Sequence, residues 1–232
     1  MFSKSAAFYD VIYSFKDYAH EASLLHVLIQ QHKHSPGTAL LDVACGTGGH
    51  LAFLKADYAV EGLDLDPGML AVARQRFPDV PFHLGDMVSF DLGRRFDVVA
   101  CLFSSIGYVK TLAAMERAVV NMARHLNPGG VLIVEPWFSP ETWKPGTPHA
   151  LFIDQPELKI ARMNLSGVEG NLSILNFHYL VATPAGIEHF AERHELGLFN
   201  PDDHRLAFEA AGLETTYDAE GLTGRGLCLG VH

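Results

Sequence analysis

Three acidic residues and one glycine turn have the types and spacing to do chemistry in this chain. In Leu40-Leu41-Asp42-Val43-Ala44-Cys45-Gly46-Thr47-Gly48-Gly49 a short apolar run reaches an aspartate and then a tight turn, after which His50 to Leu54 read as helical. Strand, glycine loop and helix in that order bring backbone N–H groups close to a ligand at a helix N-terminus. Ala59-Val60-Glu61-Gly62-Leu63-Asp64 ends the next strand in a carboxylate, 18 residues after Gly46, where it can accept hydrogen bonds from both hydroxyls of a ribose. Leu84-Gly85-Asp86-Met87 then offers a carboxylate for an adenine amino group and an apolar side chain against its ring. Taken singly, the loop is an ordinary strand–helix turn and Asp64 and Asp86 are solvated strand-end acids. Their common order and spacing favour an adenosine site.

Details of the loop narrow the ligand. A dinucleotide fingerprint, G-x-G-x-x-G/A, needs a third small residue to pack helix on strand, and that position is Leu51. No Lys-Ser/Thr pair follows the glycines, so the loop is not a Walker A loop. What remains, Asp42-x-x-x-Gly46-x-Gly48 with Ala44 inside it, resembles motif I of class I S-adenosylmethionine (AdoMet) methyltransferases. AdoMet carries no phosphate. Its amino-acid end is zwitterionic, and a glycine turn lets backbone approach it where a Cβ would clash.

These residues need strands whose carboxyl ends meet. Apolar runs predict strands at 39–44, 59–64, 81–84, 96–102 and 130–135, with helices near 48–55, 67–76 and 111–126. That alternation calls for a parallel sheet covered on both faces, with ligands at the carboxyl ends of its strands. Residues 1–35 read as helical, with apolar spacing at Ala22, Leu25, Leu28 and Ile29, and Pro36-Gly37 stops them. Residues 137–149 read as a loop rich in Pro, Trp and Thr. Strand-like segments from 150 to 196, with turns at Gly167, Glu169-Gly170 and Pro184-Ala185-Gly186, predict an antiparallel layer. A helix near 201–211 precedes closing strands near 213–218 and 226–231. The expected fold class is α/β: a Rossmann-like, mostly parallel sheet with helices on both faces and an inserted antiparallel β layer. The expected parts are an AdoMet-binding core with an N-terminal helical cap (1–136), the inserted substrate-binding layer (137–196), and the C-terminal helix and closing strands of the core (197–232).

Composition sets the compartment and the partners. The 232 residues are 48% hydrophobic and 19% charged, as in a packed globular protein. A formal net charge of −10 argues against nonspecific binding of nucleic acid or anionic membrane. Cys45, Cys101 and Cys228 lie in apolar, strand-like contexts and read as buried thiols, which suits a reducing cytoplasm. Met1 to Lys16 lacks the basic and apolar regions of a signal peptide, and no apolar run has transmembrane length. A small-molecule partner is expected, with a homodimer left open.

Beyond the AdoMet motifs, the chain resembles the AdoMet-dependent N,N-dimethyltransferases of dTDP-amino sugars, of the desosamine and mycaminose type. The resemblance spans nearly the whole chain. Besides motif I and Gly85-Asp86-Met87, it rests on Phe103-Ser104-Ser105-Ile106-Gly107, Val134-Glu135-Pro136-Trp137 and Gly224-Arg225-Gly226-Leu227. It implies that Tyr18 binds the AdoMet carboxylate together with the motif I backbone. It implies that Asp64, Leu65, Met69, Asp86 and Met87 frame the adenosine, with Leu102 and Ser104 under the sulfonium end. It implies that Ser105, Trp137, Arg162, His178 and Arg225 face a nucleotide sugar. Two departures stand out. Relatives often carry an extra aromatic before the equivalent of Tyr9, for which only Phe2 is available here. Position 108 is His or Tyr among relatives and Tyr here, so a histidine-dependent mechanism does not carry over.

Methyl transfer is an in-line displacement at a sulfonium carbon, and the enzyme's main task is to align a lone pair and exclude water. A neutral amine is already a good nucleophile, so a strong general base is not obligatory. Tyr108, with Tyr9 or Tyr13, is expected to orient the amine and relay its proton; the same tyrosines read equally well as aromatic wall. Arg225 suits a diphosphate, because guanidinium matches phosphate geometry. Its plainer reading is a surface arginine between flexible glycines. Trp137 directly follows a strand and is a better substrate platform than Trp143; both also read as core or loop anchors.

The 13 histidines invite a metal reading, but no H-E-x-x-H or Cys/His cluster occurs and no metal is expected. His32 and His34 flank Lys33 in an exposed loop. His189 and His194, five apart on a strand, point to opposite faces. Both match histidines of the resembled family, so one of them is a candidate to line the substrate pocket. Rival readings are a methyltransferase of another small amine or hydroxyl metabolite and a noncatalytic AdoMet-binding protein. An NAD-dependent reductase is opposed by Leu51 and by Gly85-Asp86-Met87. Fold alone does not choose among them.

Overall fold

A computed structural model describes residues 4–232; Phe2, the candidate for the extra aromatic, lies outside the described residues. The chain opens with a 3-10 turn (Ser5–Phe8), the short helix α1 (Tyr9–Ile12) and the long helix α2 (Tyr18–His32), whose first turn is capped by the Asp17 carboxylate accepting from His20 N–H at 2.9 Å. The central sheet then builds from β1 (Ala39–Val43), helix α3 (Leu51–Leu54), β2 (Ala59–Asp64), α4 (Pro67–Arg76), β3 (Phe82–Leu84), β4 (Phe96–Cys101), α5 (Leu112–Ala123) and β5 (Leu126–Val134). Four long strands follow: β6 (Pro148–Gln155), β7 (Leu158–Glu169), β8 (Leu172–Thr183) and β9 (Gly186–Gly197). Helix α6 (Pro201–Ala210) and strands β10 (Glu214–Asp218) and β11 (Leu227–Val231) end the chain.

Seven strands form one sheet in the order β10-β11-β5-β4-β1-β2-β3, parallel except for β11, which runs antiparallel to both neighbours. Strands buried on both faces explain the continuous apolar runs: β4 and the second half of β5 are buried throughout. One cluster, with Leu41, Val99, Met115 and Phe208, fills the side under α5 and α6; another, with Leu25, Ile29, Leu40 and Leu70, fills the side under α2 and α4. The other four strands make an antiparallel meander in the order β6-β7-β8-β9. Its inner face carries Ile160, Phe177, Tyr179 and Phe190 against Ile12 of α1.

Several features differ from the sequence expectation, among them the expected helix over 1–35, which is broken between α1 and α2. The helix after motif I is one turn, because Gly46 (φ +56°) and Gly48 (φ +79°) hold left-handed backbone that no helix adopts. Strand β5 starts at Leu126 instead of 130, its Asn127-Pro128-Gly129-Gly130 segment lying opposite a register shift between Phe96 and Val98. Gly167 does not turn the chain: it sits inside β7, paired with Ile174 of β8. The turn lies instead at Pro156-Glu157, between β6 and β7.

Candidate active site

The loop after β1 is wired to the end of β2. Ala44, the residue after β1, has φ +61°, a strained conformation for a residue with a Cβ. The N–H of Gly46 donates to Asp64 Oδ2 at 2.8 Å, and Asp66 N–H donates to Asp64 Oδ1 at 2.8 Å. A Cβ at Gly46 would meet only open space, whereas one at Gly49 would lie 2.6 Å from the ring of Tyr18. Tyr18 also packs edge-on against His50, centroids 4.9 Å apart, and a buried Lys16–Glu21–His50 network braces that corner. Asp42, at the end of β1, is buried, and its Oδ2 makes no hydrogen bond among the described residues. Burial first, and then the Asp64 charge, push its carboxyl up to about 8.

Above this loop lies a cavity of about 630 Å³. Ala44, Gly46, Asp64, Leu65 and Met69 are among the residues that line it, together with Asp86, Met87, Ser105, Tyr108 and Tyr9. Asp86 Oδ1 accepts from Val88 N–H at 2.9 Å. Of the other expected cofactor residues, Asp42, Gly48, Tyr18, Leu102 and Ser104 stand outside this lining. Gly48 is fixed by packing, since a Cβ there would be 3.0 Å from Phe77. The cavity also has charged residues that the sequence reading missed: Lys110, Arg117, Arg193 and Glu195. Glu195 takes Lys110 and Arg193 at 2.8 Å each. Lys110 and Arg117 lie more than 70 residues before Arg193 and Glu195 and share no motif with them, so only the fold joins the two pairs.

Helix α1 carries Tyr9, and Tyr13 caps its C-terminal end. Asp10, beside them, accepts from Thr47 Oγ1 at 2.6 Å and pairs with Arg76 at 2.8 Å, which fastens α1 over the motif I loop. The Tyr9 and Tyr13 rings meet at a tilt, centroids 4.6 Å apart, and Tyr13 meets Phe103 edge-on at 5.3 Å. Arg162, on the inner face of β7, donates to Tyr13 Oη at 3.3 Å and lies over the Phe177 ring at 4.8 Å. Tyr108, in a 3-10 turn (Ser105–Val109), places its hydroxyl 2.7 Å from His194 Nδ1 of β9. Burial raises the pKa of Tyr9 and of Tyr108 well above that of a free phenol.

The turn after β4 links this cavity to a second one: Ser105 lines the larger, and Arg225, bonded to Ser104, lines the smaller. Phe103 (φ +52°) and Ser104 (φ +59°) are both left-handed, and buried Glu135 holds the turn by accepting Phe103 N–H at 2.7 Å and the Thr223 hydroxyl at 2.6 Å. Arg225 donates to Ser104 Oγ at 2.8 Å, while that hydroxyl donates to Pro136 O at 2.7 Å. The guanidinium lies between the rings of Phe103, Trp137 and Phe138, at 5.5–5.8 Å from each. Trp137, Phe138, Arg225, His204 and Tyr217 line the second cavity, of about 210 Å³. Trp137 is anchored by Nε1–H donation to Ser173 Oγ at 2.8 Å, and Trp143 by donation to Gly167 O at 2.8 Å. His204 is buried with neither ring nitrogen hydrogen-bonded among the described residues, and burial lowers its pKa to about 4. Nothing in its local sequence, Asp203-His204-Arg205, marks it.

His178 does not join these residues. It alternates with inward Phe177 and Tyr179 and so takes the exposed outer face of β8, where it stacks on His189 at 5.7 Å. Of the two β9 histidines it is His194 that turns inward. Among the described residues no cluster of three metal-capable side chains occurs, and no helix is long and apolar enough to cross a membrane. The three cysteines are free and buried.

Residues 40–130 match a methyltransferase domain family. A dTDP-3-amino-3,6-dideoxy-alpha-D-glucopyranose N,N-dimethyltransferase of Streptomyces fradiae is 44% identical over 231 residues, covering 97% of this chain and 90% of the relative. The crystal structure of DesVI from Streptomyces venezuelae superposes with a TM-score of 0.92 at 42% identity, covering 100% of this chain and 99% of that one. The AdoMet-bound structure of CalS10, an amino pentose methyltransferase from Micromonospora echinaspora, superposes with a TM-score of 0.86 at 38% identity, covering 100% and 97%.

Proposed function

The chain belongs to the dTDP-amino-sugar N,N-dimethyltransferase family, and from that premise we propose that it methylates the amino group of a dTDP-linked amino deoxysugar, with AdoMet as donor and natural-product biosynthesis as setting. Two methyl groups enter at one nitrogen. The observation that carries this reading is the pair of cavities linked through Ser104 and Ser105, one lined by Gly46, Asp64 and Asp86, the other by aromatic rings and Arg225.

The residues fit AdoMet. Asp42 lies two residues before the lining residue Ala44 and outside the lining itself, so a cationic group in the larger cavity would favour its ionised form through charge alone, and the open space beside Gly46 admits a ligand next to backbone. Tyr18, Ala44, Gly46 and Gly48 hold the amino-acid end. Asp64 takes the ribose hydroxyls on lone pairs its two amide bonds leave free, since a carboxylate has about four. Asp86, Leu65, Met69 and Met87 frame the adenine, and Leu102 and Ser104 close the methyl end. When bound, AdoMet supplies a sulfonium-activated methyl group that a neutral amine takes in line, the C–S electron pair leaving on sulfur.

The protein's own part is positioning and the exclusion of water. Tyr108 meets the amine, with Tyr9 and Tyr13 completing the wall and α1 covering it. Ser105 and Arg162 face the sugar. Arg225 takes the diphosphate, pre-oriented by Ser104 and three rings, and Trp137 and His204 receive the nucleotide. A cytoplasmic setting agrees with the free cysteines. Pairing of two copies would cover Phe152, Met163, Leu165 and Leu180, exposed on the meander.

Titration calorimetry tests the two-cavity arrangement. AdoMet and dTDP are expected to bind at separate sites, each still binding when the other is saturating. Absence of dTDP binding, or displacement of AdoMet by NAD, would contradict it.

A further inference from the structure

We infer that His194 is a positioning residue for methyl transfer: it accepts the Tyr108 hydroxyl proton, so that the phenol oxygen faces the substrate amine as a hydrogen-bond acceptor only. The inference rests on Tyr108 being the side chain that meets the amine.

The contact is close and enclosed. Tyr108 lines the larger cavity, and its Oη lies 2.7 Å from His194 Nδ1. His194 is 1% exposed, on the inner face of β9, and meets the Tyr108 ring edge-on at 5.9 Å and Phe177 at 5.2 Å. Its Nε2 lies 3.7 Å from Oε2 of Glu192, two residues back on the same face. Glu192 accepts Lys4 N–H at 2.9 Å, Ser5 N–H at 3.1 Å and the Ser5 hydroxyl, the surroundings of an ionised carboxylate. A carboxylate on the Nε2 side favours the Nε2–H tautomer and leaves Nδ1 with a lone pair. Burial lowers the His194 pKa to about 4, so the ring stays neutral near pH 7.

The consequence for Tyr108 is directional. A phenol has one proton, and here it points at Nδ1. A phenol donating to the amine would occupy the electron pair that must attack. A phenol that only accepts takes one amine N–H and leaves that pair aimed elsewhere. The same geometry serves the monomethylated amine, which still has an N–H to give after it loses its extra proton.

Steady-state kinetics with AdoMet and dTDP-3-amino-3,6-dideoxyglucose, on the wild type and the variants H194F, H194N, Y108F and Y108F/H194F, provides the test. H194F keeps the ring shape without an acceptor and is expected to lower kcat about tenfold, with KM and AdoMet affinity within about threefold. H194N offers its amide oxygen near the Nδ1 position and is expected to recover most of that loss. In the Y108F background, H194F should add nothing further, because the two side chains act as one unit. Nitrogen-15 NMR of the wild-type imidazole, which needs no turnover, is expected to report the neutral Nε2–H tautomer. An Nδ1–H tautomer, full kcat in H194F beside a depressed Y108F, or additive losses in the double variant would overturn the role of His194 and leave Tyr108 in place. Full kcat in Y108F would overturn the Tyr108 assignment and this inference with it.

Discussion

The backbone amide of Gly46 donates to Oδ2 of Asp64 at 2.8 Å, so the loop after the first strand and the acid ending the second form one hydrogen-bonded unit. Removing the carboxylate takes away the loop's anchor and the ribose acceptor together. Asp64→Ala is therefore expected to weaken AdoMet binding by about 10- to 100-fold by calorimetry, the range of hydrogen bonds to a charged group. Unchanged affinity would remove Asp64 from the cofactor site.

Asp42 ties AdoMet binding to pH. Its folded pKa, raised to about 8 from an ordinary value of 3.8, means that the folded protein without AdoMet holds a proton that the unfolded chain releases. Stability without AdoMet should decline as pH rises from about 4 to about 8, and AdoMet affinity should increase over the upper part of that window as a cation in the neighbouring cavity favours the ionised carboxylate. Thermal melts of wild type and Asp42→Asn across this range, with and without AdoMet, check both slopes. Identical pH dependence in the two proteins would refute the assignment.

Arg225 is held by Ser104 and by the rings of Phe103, Trp137 and Phe138. Arg225→Ala should raise the KM for a nucleotide sugar by about 10- to 100-fold and leave AdoMet affinity unchanged. Arg225→Lys should rescue little, because an ammonium neither stacks in this slot nor bonds phosphate through two parallel N–H groups. Loss of AdoMet binding in either variant would mark the residue as structural.

His204 sets ligand binding against stability. Its pKa, lowered to about 4 from 6.5 by burial, means that the unfolded chain takes up a proton first as pH falls, so stability drops between about 6.5 and 4. His204→Phe removes two buried, unpartnered nitrogens and should flatten that drop, with stability at pH 7 unchanged or raised by about 1 kcal/mol. The same variant should bind dTDP more weakly. A destabilised variant with intact dTDP affinity would contradict both expectations.

What could be read from the sequence follows the range over which each signal acts. Asp42, Gly46, Asp64 and Asp86 were legible because the strands that carry them are consecutive neighbours, so spacing along the chain maps directly onto spacing along the sheet edge. The strand alternation and the antiparallel layer were legible from periodicity for the same local reason. Lys110, Arg117, Arg193 and Glu195 were not, since no local pattern relates the turn after β4 and helix α5 to the distant strand β9. His178 shows the opposite failure: its residue type drew attention, while the period-two alternation of β8 turns it outward. The partnership of Tyr108 with His194, 86 residues apart, also becomes visible only in three dimensions.

Mass spectrometry of the protein incubated with AdoMet and a panel of dTDP-3-amino and dTDP-4-amino deoxysugars tests the assigned reaction most directly. The expected result is a product heavier by two methyl groups, formed through a singly methylated species, with S-adenosylhomocysteine appearing at two equivalents per sugar. Methylation of no nucleotide sugar in the panel, by a preparation that binds AdoMet, would contradict it.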